Sequence, residues 1–168
     1  MRFLIITKKQ LMLGICALIA VIAVVIGSAT AFAGNDRKLP IYCVETEKKQ
    51  IAISFDAAWG NDDTQTLIDI LKEYNVPATF FVVGSWVDKY PESVKALSDA
   101  GHQVQNHSNT HPHMPQLSKQ QMRDELESCN SKIKAITGVC PTLLRPPYGD
   151  YDNALIETVD SLSMKTIQ

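Results

Sequence analysis

Short apolar segments alternate with amphipathic segments along most of this 168-residue sequence. The apolar segments have the length of strands, and the segments between them carry hydrophobic residues at helical spacing. We expect a parallel sheet covered by helices, because each crossover between parallel strands is usually a helix. The predicted strands are residues 50–55, 78–83, 102–106, 142–145 and 164–168, and the predicted helices are residues 64–74, 91–100, 118–137 and 152–162.

Two of the predicted helices carry start and stop signals. Pro91 suits the first position of one helix, and Gly101 follows its end. Ser118 is the expected N-cap of the longest helix, and Gly138 is its expected stop. These signals indicate where the two helices begin and end.

The N-terminus has the pattern of an export segment. Three basic residues lie within the first ten positions, residues 11–27 carry no charge, and Ala31-Phe32-Ala33 follows. Residues 1–33 are therefore predicted to be either a signal peptide, cleaved before Gly34, or a membrane anchor. Residues 34–49 read as a linker and residues 50–168 as one domain. In either case the domain is expected to be extracytoplasmic, secreted or anchored to the cell membrane.

The net charge of the chain limits the classes of partner that we expect. The whole chain has a formal net charge of −2, and the export segment holds basic but no acidic residues, so the predicted domain is more acidic still. Nothing in this charge balance favours a nucleic-acid partner.

One of the four cysteines, Cys16, lies in the apolar run of the N-terminus. The other three can form at most one internal disulfide. Cys129 and Cys140 are the candidates, with free thiols as the alternative.

Polar side chains follow several predicted strands at their carboxyl ends, which is where parallel α/β folds place their sites. Asp56 follows the first strand, His107 and His111 follow the third, and Arg145 ends the fourth. All four histidines of the chain lie within residues 101–116. We therefore expect these four side chains to meet on one rim of the sheet.

His107 and His111 are four residues apart, a spacing that places two imidazoles on the same face of a helical turn. Such a pair can bind one metal ion, although a polar loop with hydrogen-bonded histidines would give the same pattern. His113 is a poor third ligand, because Pro112 turns the chain and residues two apart do not share a helical face.

Asp56 and Arg145 are candidates for a pair on the rim. A carboxylate directly after a strand is a catalytic or ligand group, or the cap of the next helix, but Asp62 and Asp63 lie closer to that helix. Arg145 precedes two prolines that stiffen its backbone, and its guanidinium can bind a carboxylate with two hydrogen bonds. A structural salt bridge and a functional role are compatible if the partner of Arg145 is Asp56.

The motifs SFDAAWG, HSNTH and RPPYG, with GHQVQNH leading into the second, occur in this order. In this respect residues 50–168 resemble the polysaccharide deacetylase family (NodB-like domain, carbohydrate esterase family 4). The resemblance implies a distorted (β/α) barrel, usually described as seven-stranded, of which about five strands are expected here after an N-terminal hydrophobic helix. It also implies removal of acetyl groups from N-acetylated sugars of chitin, peptidoglycan or related polysaccharides.

The resemblance assigns roles to particular residues. It implies that Asp56 is the general base, that Arg145 orients it, and that the backbone N–H of Tyr148 binds the oxyanion. His107 and His111 would bind a divalent metal, commonly Zn²⁺. Such a metal acidifies a bound water and polarises the acetamide carbonyl. Ser108 would maintain the loop between the histidines by a hydrogen bond.

Two departures from the family pattern affect the expected function. Ala57 stands where the family most often has an aspartate as third metal ligand, and water, Asp56, Asp62 or Asp63 are the candidates to replace it. The carboxyl-terminal leucine-histidine motif, whose histidine is the general acid, is not found, so the domain is expected to lack its C-terminal part. The leading hypothesis is a metal-dependent deacetylase, and the alternative is a catalytically impaired or non-catalytic glycan-binding remnant of the same fold.

Overall fold

The computed structural model describes residues 8–31 and 36–168. The chain divides into two compact units, one ending at Asp36 and one comprising residues 37–168. In the first unit, helix α1 comprises Lys8–Ala31, and the cleavage position expected after Ala33 lies outside the described residues. Among the residues that are described, no helix is both long enough and apolar enough to cross a membrane.

A five-stranded parallel sheet forms the centre of the second unit, and its strands lie side by side in the order in which they occur in the chain. This order is that of a barrel wall, because every crossover moves on by one strand in the same direction. The expected α/β architecture is confirmed. The strands are β1 (Ser54–Ala57), β2 (Thr79–Val82), β3 (Gln103–Asn106), β4 (Leu143–Leu144) and β5 (Lys165–Thr166).

Helices connect these strands, and four of them occur where the sequence predicts them. The helix that was not predicted follows β2 directly and has only six residues, too few to show a helical period. Its first two N–H groups donate to the carbonyls of Ser108 and Asn109, so a tertiary contact defines its start. The helices are α2 (Thr64–Glu73), α3 (Gly84–Lys89), α4 (Pro91–Asp99), α5 (Lys119–Thr137) and α6 (Asn153–Ser161), with 3-10 turns at Met114–Gln116 and Pro147–Gly149.

Strand β1 lies further along the chain than its apolar pattern predicts. Residues 50–53 lie outside the sheet, and the side chain of Ile51 is 89% exposed. The strand instead includes Asp56, which pairs in register with Phe81 of β2. The predicted strand ends at Phe55 and the observed strand ends at Ala57, so the expectation that Asp56 follows the strand is wrong. The cause is pairing with β2, because β1 extends only over the residues that pair with it, from Ser54 opposite Thr79 to Ala57 opposite Val82.

Helix α5 is the longest helix of the second unit, and both of its predicted end signals are confirmed. The Ser118 side chain accepts a hydrogen bond from the Gln121 N–H in a reciprocal capping box. Gly138 has a φ of 75°, a left-handed conformation that favours glycine. The buried face of α5 carries Met122, Leu126, Cys129 and Ile133.

Two apolar clusters flank the sheet. The first packs β1, β2 and β3 against α2, α3 and α4 and includes Phe80, Val82, Trp86, Val94 and Leu97. The second lies between β4, α5 and α6 and includes Met122, Leu126, Leu144, Leu155 and Val159. Each fully buried aliphatic or aromatic side chain of this kind contributes about 1.5–3 kcal/mol relative to an exposed one.

The cysteines resolve an alternative that the sequence leaves open. Cys129 is buried and Cys140 is exposed, and both are free thiols. Burial raises the pKa of the Cys129 thiol to about 12. Because the thiolate is the reactive form, Cys129 is an inert packing residue.

Candidate active site

Asp56 and Arg145 lie side by side on the rim formed by the carboxyl ends of the strands. The Arg145 Nη1 donates to Asp56 Oδ1 over 2.9 Å, and its Nη2 donates to the hydroxyl of Ser54 over 2.7 Å. Ser54 and Asp56 are two residues apart on β1, so the period of the strand places both acceptors on one face. The predicted pairing of Asp56 with Arg145 is confirmed.

Arg145 is fixed by more than its ion pair. Its guanidinium lies 4.3 Å from the centroid of the Phe81 ring, and its backbone N–H donates to the carbonyl of Asn106. The side chain is only 19% exposed, whereas that of Asp56 is 43% exposed. Arg145 therefore holds Asp56 from the protein side and leaves the carboxylate accessible from solvent.

His107 is the buried member of the histidine pair. Its residue is 4% exposed, and its backbone N–H donates to the carbonyl of Val82. The ring Nδ1 lies 2.7 Å from the carbonyl oxygen of Arg145. A carbonyl only accepts, so Nδ1 carries the proton and Nε2 keeps its lone pair for a metal. Burial of the imidazole lowers the pKa of His107, which favours this neutral form.

His111 lies next to His107, but on a loop and not on the helical turn that the spacing predicts. The two ring centroids are 5.0 Å apart. Ser108 and His111 have φ values of 66° and 61°, so two left-handed residues bend the loop and bring the rings together. The Ser108 hydroxyl accepts a hydrogen bond from the His111 N–H over 3.0 Å, as the family resemblance implies.

Asn106 and Glu125 support this loop, and the sequence reasoning missed both. Asn106 is fully buried, and its amide donates to the Leu126 carbonyl over 2.9 Å while its Oδ1 accepts from the Ser108 N–H over 2.7 Å. One Glu125 oxygen accepts from the N–H groups of Asn109 and Thr110, each over 2.8 Å. The sequence did contain a signal for Asn106, because it is a polar residue at the end of a predicted strand. Glu125 gave no signal, because its role depends on the packing of α5.

Tyr148 lies across the rim from β1 and contacts the histidine loop. Its φ is 59°, a third left-handed residue at the site. The ring stacks on His113 at 4.0 Å and meets the edge of His111 at 4.7 Å between centroids. His113 in turn pairs with Asp150. His113 thus packs against the site through Tyr148.

In the part of the chain that the structure describes, no third metal ligand accompanies the two imidazoles. Ala57 packs against the apolar cluster around β1–β3. Across the described residues no group of three His, Cys, Asp or Glu side chains is placed to share a metal ion, so neither Asp62 nor Asp63 completes the set. The donor chemistry of His107 and His111 fits two positions of a zinc site, whereas catalytic zinc sites usually have three protein ligands.

Comparison with known proteins identifies the family. The family model described as polysaccharide deacetylase matches residues 44–167. The peptidoglycan-N-acetylmuramic acid deacetylase PdaA of Bacillus subtilis is 36% identical over 127 residues, which are 75% of this chain and 48% of that protein. The chain spans less than half the length of this relative.

Two solved structures share the fold. A family 4 carbohydrate esterase from Bacillus anthracis is 32% identical with a TM-score of 0.74, over 76% of this chain and 62% of that one. A family 4 pseudoenzyme from the same species is 36% identical with a TM-score of 0.75, over 77% of this chain and 46% of that one. Family 4 deacetylases are generally metal-dependent. With its family model, its relatives and its rim geometry in agreement, this chain belongs to the polysaccharide deacetylase family.

Proposed function

We propose that this chain contributes the active site of a metal-dependent hydrolase that removes N-acetyl groups from the amino sugars of peptidoglycan. The observation that carries the proposal is the position of Asp56, held by Arg145 on the same rim as His107 and His111. A carboxylate and two imidazoles on one rim can supply a general base and two metal ligands, which together suit hydrolysis of an unactivated amide. Relatives named as peptidoglycan N-acetylmuramic acid and N-acetylglucosamine deacetylases support the choice of substrate.

Each residue has a definite task in this reaction. Asp56 takes the proton of the attacking water and returns it to the amine nitrogen as the C–N bond breaks, and Arg145 keeps the carboxylate oriented. His107 and His111 would hold a divalent metal, for which we propose Zn²⁺; when bound, it polarises the acetamide carbonyl and acidifies water. The backbone N–H of Tyr148 donates to the oxyanion of the tetrahedral intermediate.

We further propose that the domain works outside the cytoplasmic membrane. The basis is the order of basic residues, uncharged run and small residues within residues 1–33, which suits a cleaved signal peptide or a membrane anchor. A peptidoglycan substrate is found in the same compartment. The proposed partner is thus an N-acetylated glycan, with the membrane as a second partner if the N-terminal segment is retained.

A second candidate function is binding of the glycan without turnover. It is favoured by Ala57, since the described residues offer the metal two imidazoles and no third ligand. Similarity to a solved pseudoenzyme of the family supports the same view. This candidate uses the same rim but predicts no acetate release.

The two candidates are separated by measuring acetate release from N-acetylated peptidoglycan glycan strands in the presence of Zn²⁺. The first candidate predicts release by the unmodified chain and a loss of at least about a hundredfold in Asp56→Asn, the usual scale of general base catalysis. His102→Gln is a matched control, because His102 lies at the amino end of β3, away from the rim. No release by the unmodified chain, with release by Ala57→Asp, would reject the first candidate and favour the second.

A further inference from the structure

Two exposed aromatic side chains contact His111 on the rim. Trp59 is 82% exposed and Tyr148 is 60% exposed. Their ring centroids lie 5.3 Å and 4.7 Å from that of His111. Isolated exposed apolar side chains are common on protein surfaces, but two large aromatics on the same imidazole form a local patch.

The loop that carries Trp59 is anchored to the core. The indole N–H of Trp86, a residue only 2% exposed, donates to the carbonyl of Gly60. Gly60 has a φ of 67°, a conformation that favours glycine. The next residue, Asn61, donates from its side chain to the hydroxyl of Ser93 over 3.1 Å. The backbone beside Trp59 is thus fixed while its indole remains in solvent.

Tyr148 is also held in place before any ligand arrives. Its ring lies nearly parallel to that of His113, with an interplanar angle of 15°, and His113 is paired with Asp150. Its backbone φ of 59° is a left-handed conformation that is uncommon for residues other than glycine and persists only where the surrounding structure holds it. Fixed aromatic side chains lose little conformational entropy on binding, so their contacts contribute to affinity.

We propose that Trp59 and Tyr148 form an aromatic platform on which a pyranose ring of the glycan stacks beside His111. The faces of β-linked pyranoses carry C–H bonds, and the negative face of an aromatic ring attracts such weakly positive hydrogens. A sugar seated there has its polar substituents next to His111, on the rim that also carries the Asp56–Arg145 pair. This inference rests on the proposed function for the identity of the glycan and adds the residues that position it.

Binding of chitotetraose, an oligomer of four N-acetylglucosamine units, tests the platform directly. It is measured by calorimetry with the 168-residue chain in the presence of a chelator, so that turnover and metal binding do not contribute. Trp59→Ala should weaken binding by about tenfold or more, and Trp59→Phe should retain it within about threefold, because a phenyl ring still stacks. The control is Tyr74→Ala, an equally exposed aromatic (69%) that follows α2 at the opposite end of the sheet.

Tryptophan fluorescence gives a second readout that folding defects do not mimic. The chain has two tryptophans, and Trp86 is buried while Trp59 is exposed. Chitotetraose should change the emission of the unmodified chain and leave that of Trp59→Phe unchanged. Equal affinity of Trp59→Ala and the unmodified chain, or no binding by the latter, would overturn the platform. Trp59-dependent binding without acetate release would leave the platform standing and reject only the deacetylase activity.

Discussion

Replacing Arg145 by methionine should destabilise the protein more than replacing any ordinary surface arginine. The guanidinium makes an ion pair with Asp56, a hydrogen bond to Ser54 and a cation–π contact with Phe81. The half-exposed ion pair contributes about 0.5–1 kcal/mol, the charged hydrogen bond about 1.5 kcal/mol, and the cation–π contact about 0.5–1 kcal/mol. We expect a loss of about 3 kcal/mol in the free energy of unfolding, since methionine retains only the apolar contact.

Urea unfolding followed by circular dichroism measures this loss, and a midpoint lower by roughly 1–2 M is expected. The matched control is Arg123→Met, which removes an ion pair with Glu127 at 3.4 Å and a hydrogen bond to the Ser161 hydroxyl at 2.9 Å, both exposed on the surface; its cost should stay at about 1–1.5 kcal/mol. A double-mutant cycle of Arg145→Met with Asp56→Ala should give a coupling of about 0.5–1 kcal/mol. A loss of unfolding free energy in Arg145→Met no larger than that in Arg123→Met would refute the contributions assigned to the three Arg145 contacts.

Three further predictions concern the scaffold. Cys129, with a thiol pKa of about 12, should resist iodoacetamide at pH 8 until denaturant is added, while the exposed cysteines react; mass spectrometry that finds native Cys129 alkylated would contradict its burial. Asn106→Ala should cost about 3 kcal/mol in thermal unfolding, because it leaves the Ser108 N–H without its buried acceptor; a loss under about 1 kcal/mol would be inconsistent with that network. Ser118→Ala should cost about 1 kcal/mol by removing the capping box, and an unchanged midpoint would show that the cap does not contribute.

The sequence predicts the order of strands and helices because the signals that set it are local. Ser118 begins α5 and Gly138 ends it, each through contacts within its own turn, and both occur where the sequence predicts them. The limits of β1 were misplaced because they depend on pairing with β2, a contact between distant parts of the chain. Helix α3 was missed for the same reason, since its first N–H groups are satisfied by the histidine loop.

In the candidate site, too, some features follow from the sequence and others depend on contacts between distant parts of the chain. The placement of Asp56 and Arg145 on one rim follows from parallel topology, because the carboxyl ends of parallel strands share one edge. Their direct contact does not follow from it, since two strands lie between β1 and β4 in the sheet. The loop form of the histidine pair does not follow from its spacing, since it depends on left-handed residues at Ser108 and His111. Glu125, which binds the backbone of that loop, lies on a helix whose rotation only the folded core defines.

His107 and His111 are the proposed metal-binding residues of this rim, and equilibrium binding of Zn²⁺ tests that assignment most directly. The unmodified chain should bind one Zn²⁺, the double variant His107→Ala/His111→Ala should bind none, and His102→Gln should bind as the unmodified chain does. Unfolding curves of all three proteins separate loss of the site from loss of the fold. Equal zinc content in a folded double variant would contradict the assignment of the site.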